Sequence, residues 1–293
     1  MGIIKQIYTA LVPGKIRVKL ADERKRKKII SYYNLNPTSD QEINEALDFL
    51  KNNALAVLPY PFHLPYFTKD IDVKYDELTK FPYVIHGAAG NKLFFKKSWE
   101  KEHIIACYRT LLAEQDLNSA HRYLTSEYGI DKNSTVVDVG AAEGIFALDE
   151  MENISHLYLI ETDPEWIEAL LLTYKPWEDR ITIIEKYVSN VDDEKNVKLD
   201  TYFKNIDQVD FIKVDVDGAE QDLIYGAEDI LSNKVKKIVI CTYHKENDNR
   251  DFGIYFKKKN YQISNSNGYM LFHYIDFAPP FFRRGVLRAQ KNK

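Results

Sequence analysis

The sequence predicts an α/β fold in which a mostly parallel sheet is covered by helices. Two observations from Thr135 onward support this prediction. Short apolar runs rich in Val, Ile and Tyr alternate with stretches of helical periodicity, and strands that alternate with helices require right-handed crossovers. The runs are continuously apolar, which is typical of strands buried on both faces.

Five runs are predicted as strands: STVVDVG, HLYLIE, ITIIEKYV, VDFIKVDV and KKIVICTY. Three stretches between them have helical spacing: AEGIFALDEM, PEWIEALLLTY and GAEQDLIYGAEDILSN. Ligands of such sheets bind at the carboxyl ends of the strands, where the strand order reverses. We therefore expect the functional residues at that edge.

Residues 1–115 are predicted to form a mostly helical N-terminal extension, and residues 116–293 the core domain. TSDQEINEALDFLKNN has a capping residue at Ser39 or Asp40 and apolar residues at helical spacing. KKSWEKEHIIACYRTLLAEQD also has helical periodicity, and the prolines of PYPFHLPYF interrupt regular structure between them.

The composition is that of an ordinary globular protein, because 45% of the 293 residues are hydrophobic and 29% are charged. The net charge of −4 provides no overall basic field, so no nucleic-acid partner is expected. Cys107 and Cys241 are expected to be small buried hydrophobes in a reducing compartment. No apolar run approaches membrane-spanning length and no signal peptide is evident, so a cytoplasmic location is expected.

Basic residues concentrate at the two ends of the chain. They dominate between Lys5 and Lys28, and again in FFRRGVLRAQKNK. A solvated helix face explains such runs. The alternative hypothesis is peripheral contact of these ends with an anionic membrane surface or a partner.

The first predicted strand ends in a glycine turn, VVDVGAAEGIFAL, in which Gly140 and Gly144 precede a helix. The second strand ends at Glu161, at the spacing where an acid binds a ribose diol. Nicotinamide-binding folds have three glycines in this turn, and the corresponding positions here are Gly140, Ala142 and Ile145. The alanine and the isoleucine would hinder the close approach of the backbone to a pyrophosphate. Glu143 would repel phosphate but can bind an ammonium group. S-Adenosylmethionine is therefore favoured over NAD, although an NAD-dependent oxidoreductase and a catalytically inactive cofactor-binding module stay open as alternatives.

Several motifs resemble the FkbM family of S-adenosylmethionine-dependent methyltransferases: VVDVGAAEG, LIETDPEW, KLDTYF and IKVDVDGAEQDLIYGAEDIL. The last motif matches the family pattern at Lys213, Asp215, Asp217, Gly218, Ala219 and Glu220, with Asp217 in place of the usual glutamate. CTYHKEND, FFRRGVLRA and EQDLNSAHRYL are similar to a subgroup found among surface-polysaccharide genes. The resemblance, over residues 90–290, implies a Rossmann-like class I methyltransferase fold with a mostly parallel seven-stranded sheet and helices on both faces. It also implies methyl transfer to hydroxyl oxygens.

The resemblance also implies the cofactor-binding residues. Those expected around the methionine moiety are Asp138, Gly140, Ala142, Glu143 and Gly144. Glu161 is expected at the ribose, Thr162 beside the adenine, and Tyr187 and Val188 along the adenine ring. For Tyr187, a place in the core is an equal alternative, and Trp166 is expected to pack in the core.

Asp215 is expected beside the transferable methyl group, where it can orient or deprotonate the acceptor hydroxyl. His244 is the expected base, because an imidazole pKa lies near neutrality. Glu220 is a further catalytic residue, with helix capping as the structural alternative. His121 is expected to help close the cofactor site.

A divalent cation is not expected, and if one binds, its ligands would be Asp215, Asp217 and Glu220, with His244 beside them. The expected acceptor is a sugar hydroxyl in a glycan, polysaccharide or glycolipid precursor, and an amino-sugar nitrogen is a close variant. Four aromatic residues of the extension could stack on a sugar but are expected to pack its small core: Tyr60, Phe62, Tyr66 and Phe67. The sequence gives no indication of the oligomeric state.

Overall fold

A computed structural model describes residues 14–273 and 277–292. From residue 14 onward, the N-terminal part contains four helices and a 3₁₀ turn: α1 (Gly14–Leu35), α2 (Gln41–Asn52), α3 (Leu64–Phe67), α4 (Lys101–Glu114) and Pro61–His63. It also contains an antiparallel sheet of β1 (Lys74–Tyr75), β2 (Pro82–His86) and β3 (Asn91–Phe94). The predicted helices α2 and α4 are confirmed. The small sheet was not predicted from the sequence. The domain boundary after residue 115 stays a prediction.

The rest of the described chain builds the central sheet. Its strands are β4 (Ser134–Val139), β5 (Ile154–Ile160), β6 (Ile181–Ile184), β9 (Val209–Val214), β10 (Val235–Cys241), β11 (Tyr261–Asn265) and β12 (Val286–Lys291), while β7 (Tyr187–Val188) and β8 (Asn196–Val197) form a separate pair. The helices are α5 (Ile145–Leu148), α6 (Pro164–Thr173), α7 (Leu199–Tyr202), α8 (Glu220–Tyr225), α9 (Glu228–Asn233) and α10 (Asp248–Lys258), with a 3₁₀ segment at Lys175–Arg180.

The seven strands lie in the order β11-β12-β10-β9-β4-β5-β6. The five predicted strands are parallel, and β12 runs antiparallel between β10 and β11. Strand order reverses between β4 and β9, so a crevice opens at the carboxyl ends of these two strands. The predicted ligand edge is therefore present.

Both faces of the sheet are buried. Neighbouring residues such as Val136 and Val137 belong to two different cores, because successive side chains of a strand point to opposite faces. Helices α4 to α6 pack on one face and α8 to α10 on the other. The predicted fold class is confirmed. Leu58, Val84 and Leu93 of the N-terminal part join the first of these cores.

The helix predicted over residues 218–233 is divided into α8 and α9. Gly226 lies at the break, and a Cβ at this position would be 1.9 Å from the carbonyl oxygen of Ser189. The close approach of these two backbones requires glycine, which is a poor helix former.

Two arginines of the basic C-terminal run have side chains that point into the protein. Arg283 donates to the carbonyl oxygens of Tyr243 and His244, and Arg288 to that of Tyr123. These two guanidinium groups are buried and do not face a membrane surface, while peripheral membrane contact through the basic ends of the chain stays a prediction. Lys5 of the N-terminal run lies outside the described residues. No helix in the described part of the chain is both long and apolar enough to cross a bilayer.

Candidate active site

The turn after β4 requires its glycines. Gly140 has φ +72°, and a Cβ there would lie 1.9 Å from the carbonyl oxygen of Asp215. Gly144 has φ +80°, and its Cβ would lie 2.6 Å from Leu170. Left-handed backbone and close contact both exclude larger residues at these positions. The turn therefore lies directly against the end of β9.

Asp138 and Lys213 form a buried ion pair beneath this turn. Lys213 Nζ lies 3.0 Å from Asp138 Oδ1 and donates to the carbonyl oxygen of Gly140 at 2.7 Å. Burial opposes the charge of Lys213, but Asp138 and Asp215 outweigh it and raise the lysine pKa. Asp138, predicted around the methionine moiety, is fully buried. It supports the turn through Lys213.

A cavity of about 400 Å³ opens at the carboxyl ends of β4, β5 and β9. Eight residues singled out in the sequence line it: Gly140, Ala142, Glu161, Thr162, Tyr187, Val188, Asp215 and Asp217. The Tyr187 side chain is at its wall and the residue is 59% exposed, so its alternative place in the core is wrong. Trp166 packs edge-on against Trp99, as expected of a core residue, and also borders the cavity.

Glu161 connects the end of β5 to the glycine turn. Its Oε2 accepts from the amide of Ala142 at 2.9 Å, and its Oε1 accepts from the amides of Thr162 and Asp163. A carboxylate has about four lone-pair positions. The carboxylate is therefore oriented by the backbone and keeps acceptor capacity toward the cavity.

A smaller cavity of about 90 Å³ adjoins the first and is lined by ionisable groups. Gly140, Ala142 and Asp215 border both cavities. Glu114 and Glu143 line the smaller one, and burial raises the pKa of both, to about 7 for Glu143. An ammonium group placed here would stabilise the ionised form of these two acids. Lys213, His121 and Asp215 also line the cavity, so groups of both charge signs face it.

Asp215 lies at the junction of the two cavities. Its Oδ2 accepts from the hydroxyl of Tyr123 at 2.9 Å, and its Oδ1 accepts from that of Tyr243 at 3.3 Å. His121 Nε2 is 3.5 Å from Oδ2, and His244 Nε2 is 3.7 Å from Oδ1. Burial would raise the pKa of Asp215, but the hydrogen bond and charge of His121 outweigh it and hold the pKa well below its usual range. Asp215 is therefore ionised.

His244 is held by carboxylates on both sides of its ring. Its Nδ1 is 2.7 Å from Glu220 Oε1, and its Nε2 is 3.4 Å from Asp217 Oδ1. Burial opposes the charge of the imidazole, but the hydrogen bonds to Asp217 and Glu220 outweigh it and raise the pKa to about 10. The negative charge of Asp215 adds to this effect, and Asp248 of α10 also interacts electrostatically with His244. The imidazole is therefore protonated at neutral pH in the free protein, which differs from the near-neutral pKa expected from the sequence.

Glu220 is buried and does not cap α8 through its side chain, and its catalytic role stays a prediction. It is the first residue of α8, is almost completely buried, and accepts from the amide of Val216 as well as approaching His244. Asp217 has φ +49° and a side chain that is 99% exposed, because β9 ends before it. The donor atoms of Asp215, Glu220 and His244 lie within 4.8 Å of one another, whereas Asp217 is outside this group.

Tyr123, Tyr243 and Glu114 are site residues that the sequence did not reveal. Tyr123 lies two residues after His121, and Tyr243 directly precedes His244. Closeness in sequence to these histidines was the signal that could have identified the two tyrosines. His121, ranked low from the sequence, contacts Asp215 directly. Arg288 fixes the backbone at Tyr123, and Arg283 fixes the backbone at Tyr243 and His244.

The four aromatic residues of the N-terminal part are mainly packing residues. Tyr60 stacks on Phe62, and the hydroxyl of Tyr66 donates to Asp116. Phe67 packs edge-on against His63 but is 55% exposed. The expectation that they pack the core of this part is confirmed for Tyr60, Phe62 and Tyr66.

No protein-family model matches the chain, and no curated protein matches it. Among solved structures, the chain is similar to methyltransferase FkbM from Methylobacillus flagellatus KT, at 20% identity and a TM-score of 0.45 over 65% of this chain. The chain spans 55% of the length of that protein.

Two further likenesses are weaker. One is to TrmK of M. capricolum in complex with S-adenosyl-homocysteine, at 12% identity and a TM-score of 0.39, covering 58% of this chain and 70% of that chain. The other is to a putative RNA methyltransferase from Pyrococcus horikoshii, at 13% identity and a TM-score of 0.37, covering 55% and 76%. At these identities and scores, the similarity to methyltransferases concerns the fold alone.

Proposed function

We propose that the chain is an S-adenosylmethionine-dependent methyltransferase that methylates a hydroxyl oxygen. The observation that carries the proposal is the position of Asp215 at the junction of a nucleoside-sized cavity and a small acid-lined cavity. A ligand with a nucleoside at one end and an ammonium-bearing amino acid at the other fits both. Its sulfonium would then lie near Asp215.

The chain's own residues would hold the cofactor in three places. Glu161 has acceptor capacity for the ribose hydroxyls, and Tyr187 offers an exposed ring to the adenine. Glu143 offers a buried carboxyl to the ammonium group. NAD fits less well, because its pyrophosphate would meet Glu143 and a turn with Ala142 in place of glycine.

When bound, the cofactor supplies a methyl group on a positively charged sulfur. Asp215, held by two tyrosine hydroxyls, accepts a hydrogen bond from the acceptor hydroxyl and orients it. Neutral His244 would take the hydroxyl proton on Nε2 while Glu220 lies beside Nδ1, and the oxygen so released would be the nucleophile for the methyl group that a bound cofactor would supply. Asp215 itself is a poor base because its pKa is lowered.

The acceptor class comes from the sequence motifs. The blocks around Asp215 and His244 resemble FkbM enzymes, which favours a sugar hydroxyl in a glycan, polysaccharide or glycolipid precursor. RNA is disfavoured by the net charge of −4, because nucleic-acid binding is dominated by contacts of lysine and arginine with phosphates.

Calorimetry with S-adenosylhomocysteine and with NAD tests the cofactor. We expect binding of the first and not of the second, and the opposite result would favour an oxidoreductase. Transfer of a labelled methyl group to a glycan or glycolipid extract then separates an enzyme from an inactive cofactor-binding module.

A further inference from the structure

A third cavity, of about 690 Å³, is bounded by Tyr243 and lies mainly within the N-terminal part of the chain. Its lining is largely apolar and includes Leu55, Val57, Leu58, Leu64 and Phe272. This volume is in the range of cavities that bind small organic molecules.

The third cavity is one layer of side chains away from Asp215. Tyr243 lines it and donates its hydroxyl to Asp215 Oδ1. Glu114 lines both this cavity and the small acid-lined cavity. Phe272 also lines the cavity, beside Tyr243, and packs edge-on against the ring of His244, with ring centroids 5.3 Å apart. Side chains of the cavity wall therefore contact the side chains proposed to act on the acceptor hydroxyl.

We propose that this cavity binds an apolar chain of the methyl acceptor, so that the acceptor is a sugar joined to an alkyl-type group, as in a glycolipid precursor. The inference rests on the proposed function, because it is Asp215 that orients the acceptor hydroxyl. Sugar hydroxyls would lose hydrogen bonds to water against this lining, whereas an alkyl chain gains about 25 cal/mol for each Å² that it buries. Leu64, which is 43% exposed, lies where such a chain would enter.

Alkyl glycosides test the inference without knowledge of the natural acceptor. Hexyl and methyl β-glucoside are titrated by calorimetry below micelle-forming concentrations, in the presence of S-adenosylhomocysteine. We expect the hexyl compound to bind at least about tenfold more tightly, because each of its five additional methylene groups gains up to about 0.8 kcal/mol on burial.

Two pairs of variants locate the binding. Leu64→Glu places a charge at the cavity and is expected to abolish the hexyl preference, while Leu78→Glu, at a leucine that is 92% exposed and outside the cavity, retains it. Ala54→Trp fills part of the cavity and has the same expected effect, with exposed Ala21→Trp as its control.

Equal affinity for the two glucosides, or a hexyl preference that survives Leu64→Glu and Ala54→Trp, would overturn the inference. Binding of S-adenosylhomocysteine in the same titrations separates this result from the proposed function. If the nucleoside binds and the hexyl preference is absent, only the apolar acceptor site is wrong. If the nucleoside itself does not bind, the proposed function fails.

Discussion

Gly140 lies directly against the backbone of Asp215, in a contact that leaves no room for a side chain. A Cβ at Gly140 would approach the Asp215 carbonyl oxygen to 1.9 Å. The turn proposed to hold the cofactor and the carboxylate proposed to orient the acceptor therefore occupy fixed positions relative to each other.

Replacing Gly140 with alanine is expected to destabilise the protein by at least about 2 kcal/mol, because a left-handed backbone costs an alanine about 1–2 kcal/mol and the clash adds to it. Binding of S-adenosylhomocysteine should weaken as well. Gly129→Ala is the matched control, since its nearest neighbour, the carbonyl oxygen of Thr125, is 3.7 Å away. Chemical denaturation and calorimetry measure both effects, and equal stability of the two variants would contradict the described contact.

Asp215→Asn is expected to lower kcat by about a hundredfold, because a small misplacement of the acceptor hydroxyl costs a factor of that order. The affinity for S-adenosylhomocysteine should change far less, because the amide keeps the size of the carboxylate and its contact with Tyr123. Asp207→Asn, at an exposed residue that lines none of the three cavities, is the control. Parallel losses of turnover and of cofactor affinity would argue against an acceptor-side role for Asp215.

The rate of methyl transfer is expected to rise with pH above neutrality, because His244 must lose its proton before it can act as a base and its pKa is raised to about 10. Glu220→Gln removes a carboxylate that raises this pKa, so the rising limb of the kcat/KM profile should move to lower pH. A profile that is flat between pH 7 and 10 in the unmodified protein would exclude His244 as the base.

The same pKa has a consequence for stability. The imidazole pKa is raised in the folded state above its ordinary value of 6.5, so the stabilisation from His244 is complete below about pH 6.5 and is lost as the pH rises through about 10. We expect the difference in unfolding free energy between the unmodified protein and His244→Gln to decrease over this interval. Denaturant titrations at several pH values measure it, and a constant difference would show that His244 is not charged in the folded protein.

Glu143 should make cofactor affinity dependent on pH. Its pKa is raised to about 7 by burial, and an ammonium group stabilises only the ionised carboxylate, so affinity for S-adenosylhomocysteine should increase as the pH rises through 7. Glu143→Gln should weaken binding about tenfold or more, as expected for a lost charged hydrogen bond, and remove the pH dependence. If the variant keeps the pH dependence, another group binds the ammonium.

Methyl transfer is expected to survive EDTA. Glu220 already contacts His244 at 2.7 Å, and both oxygens of Asp215 accept from tyrosines, so the nearby donor atoms are engaged by protein groups. Turnover is measured before and after chelation, with and without added Mg²⁺ or Mn²⁺. Loss of activity that either ion restores would instead assign a cation to Asp215, Glu220 and His244.

The sheet and its ligand edge follow from local sequence, because continuous apolar runs identify buried strands and parallel strands place their carboxyl ends together. The supporting role of Asp138 does not follow in the same way. Asp138 lies beside Lys213 in the register of β4 and β9, and this register arises only when the strands pair. A carboxylate in the glycine-turn motif was therefore expected at the cofactor rather than beneath the turn.

The tyrosines that hold Asp215 are ordinary residues in the sequence. Tyr123 and Asp215 are 92 positions apart, and no periodicity relates them. The buried C-terminal arginines are similar, because a basic run is typical of a solvated surface until the partner carbonyl groups are known. Local sequence patterns do not predict long-range contacts that form only when β12 is inserted into the sheet.

The insertion of β12 also determines when the site can form. Translation produces all five parallel strands before it reaches Arg283 and Arg288, whose guanidinium groups bind the backbone at His244 and Tyr123. A nascent chain can thus complete most of its sheet before these two arginines hold the segments that carry Tyr123 and His244. If these segments form the proposed site, binding of the nucleoside is a late event in biogenesis, after β12 has joined the sheet.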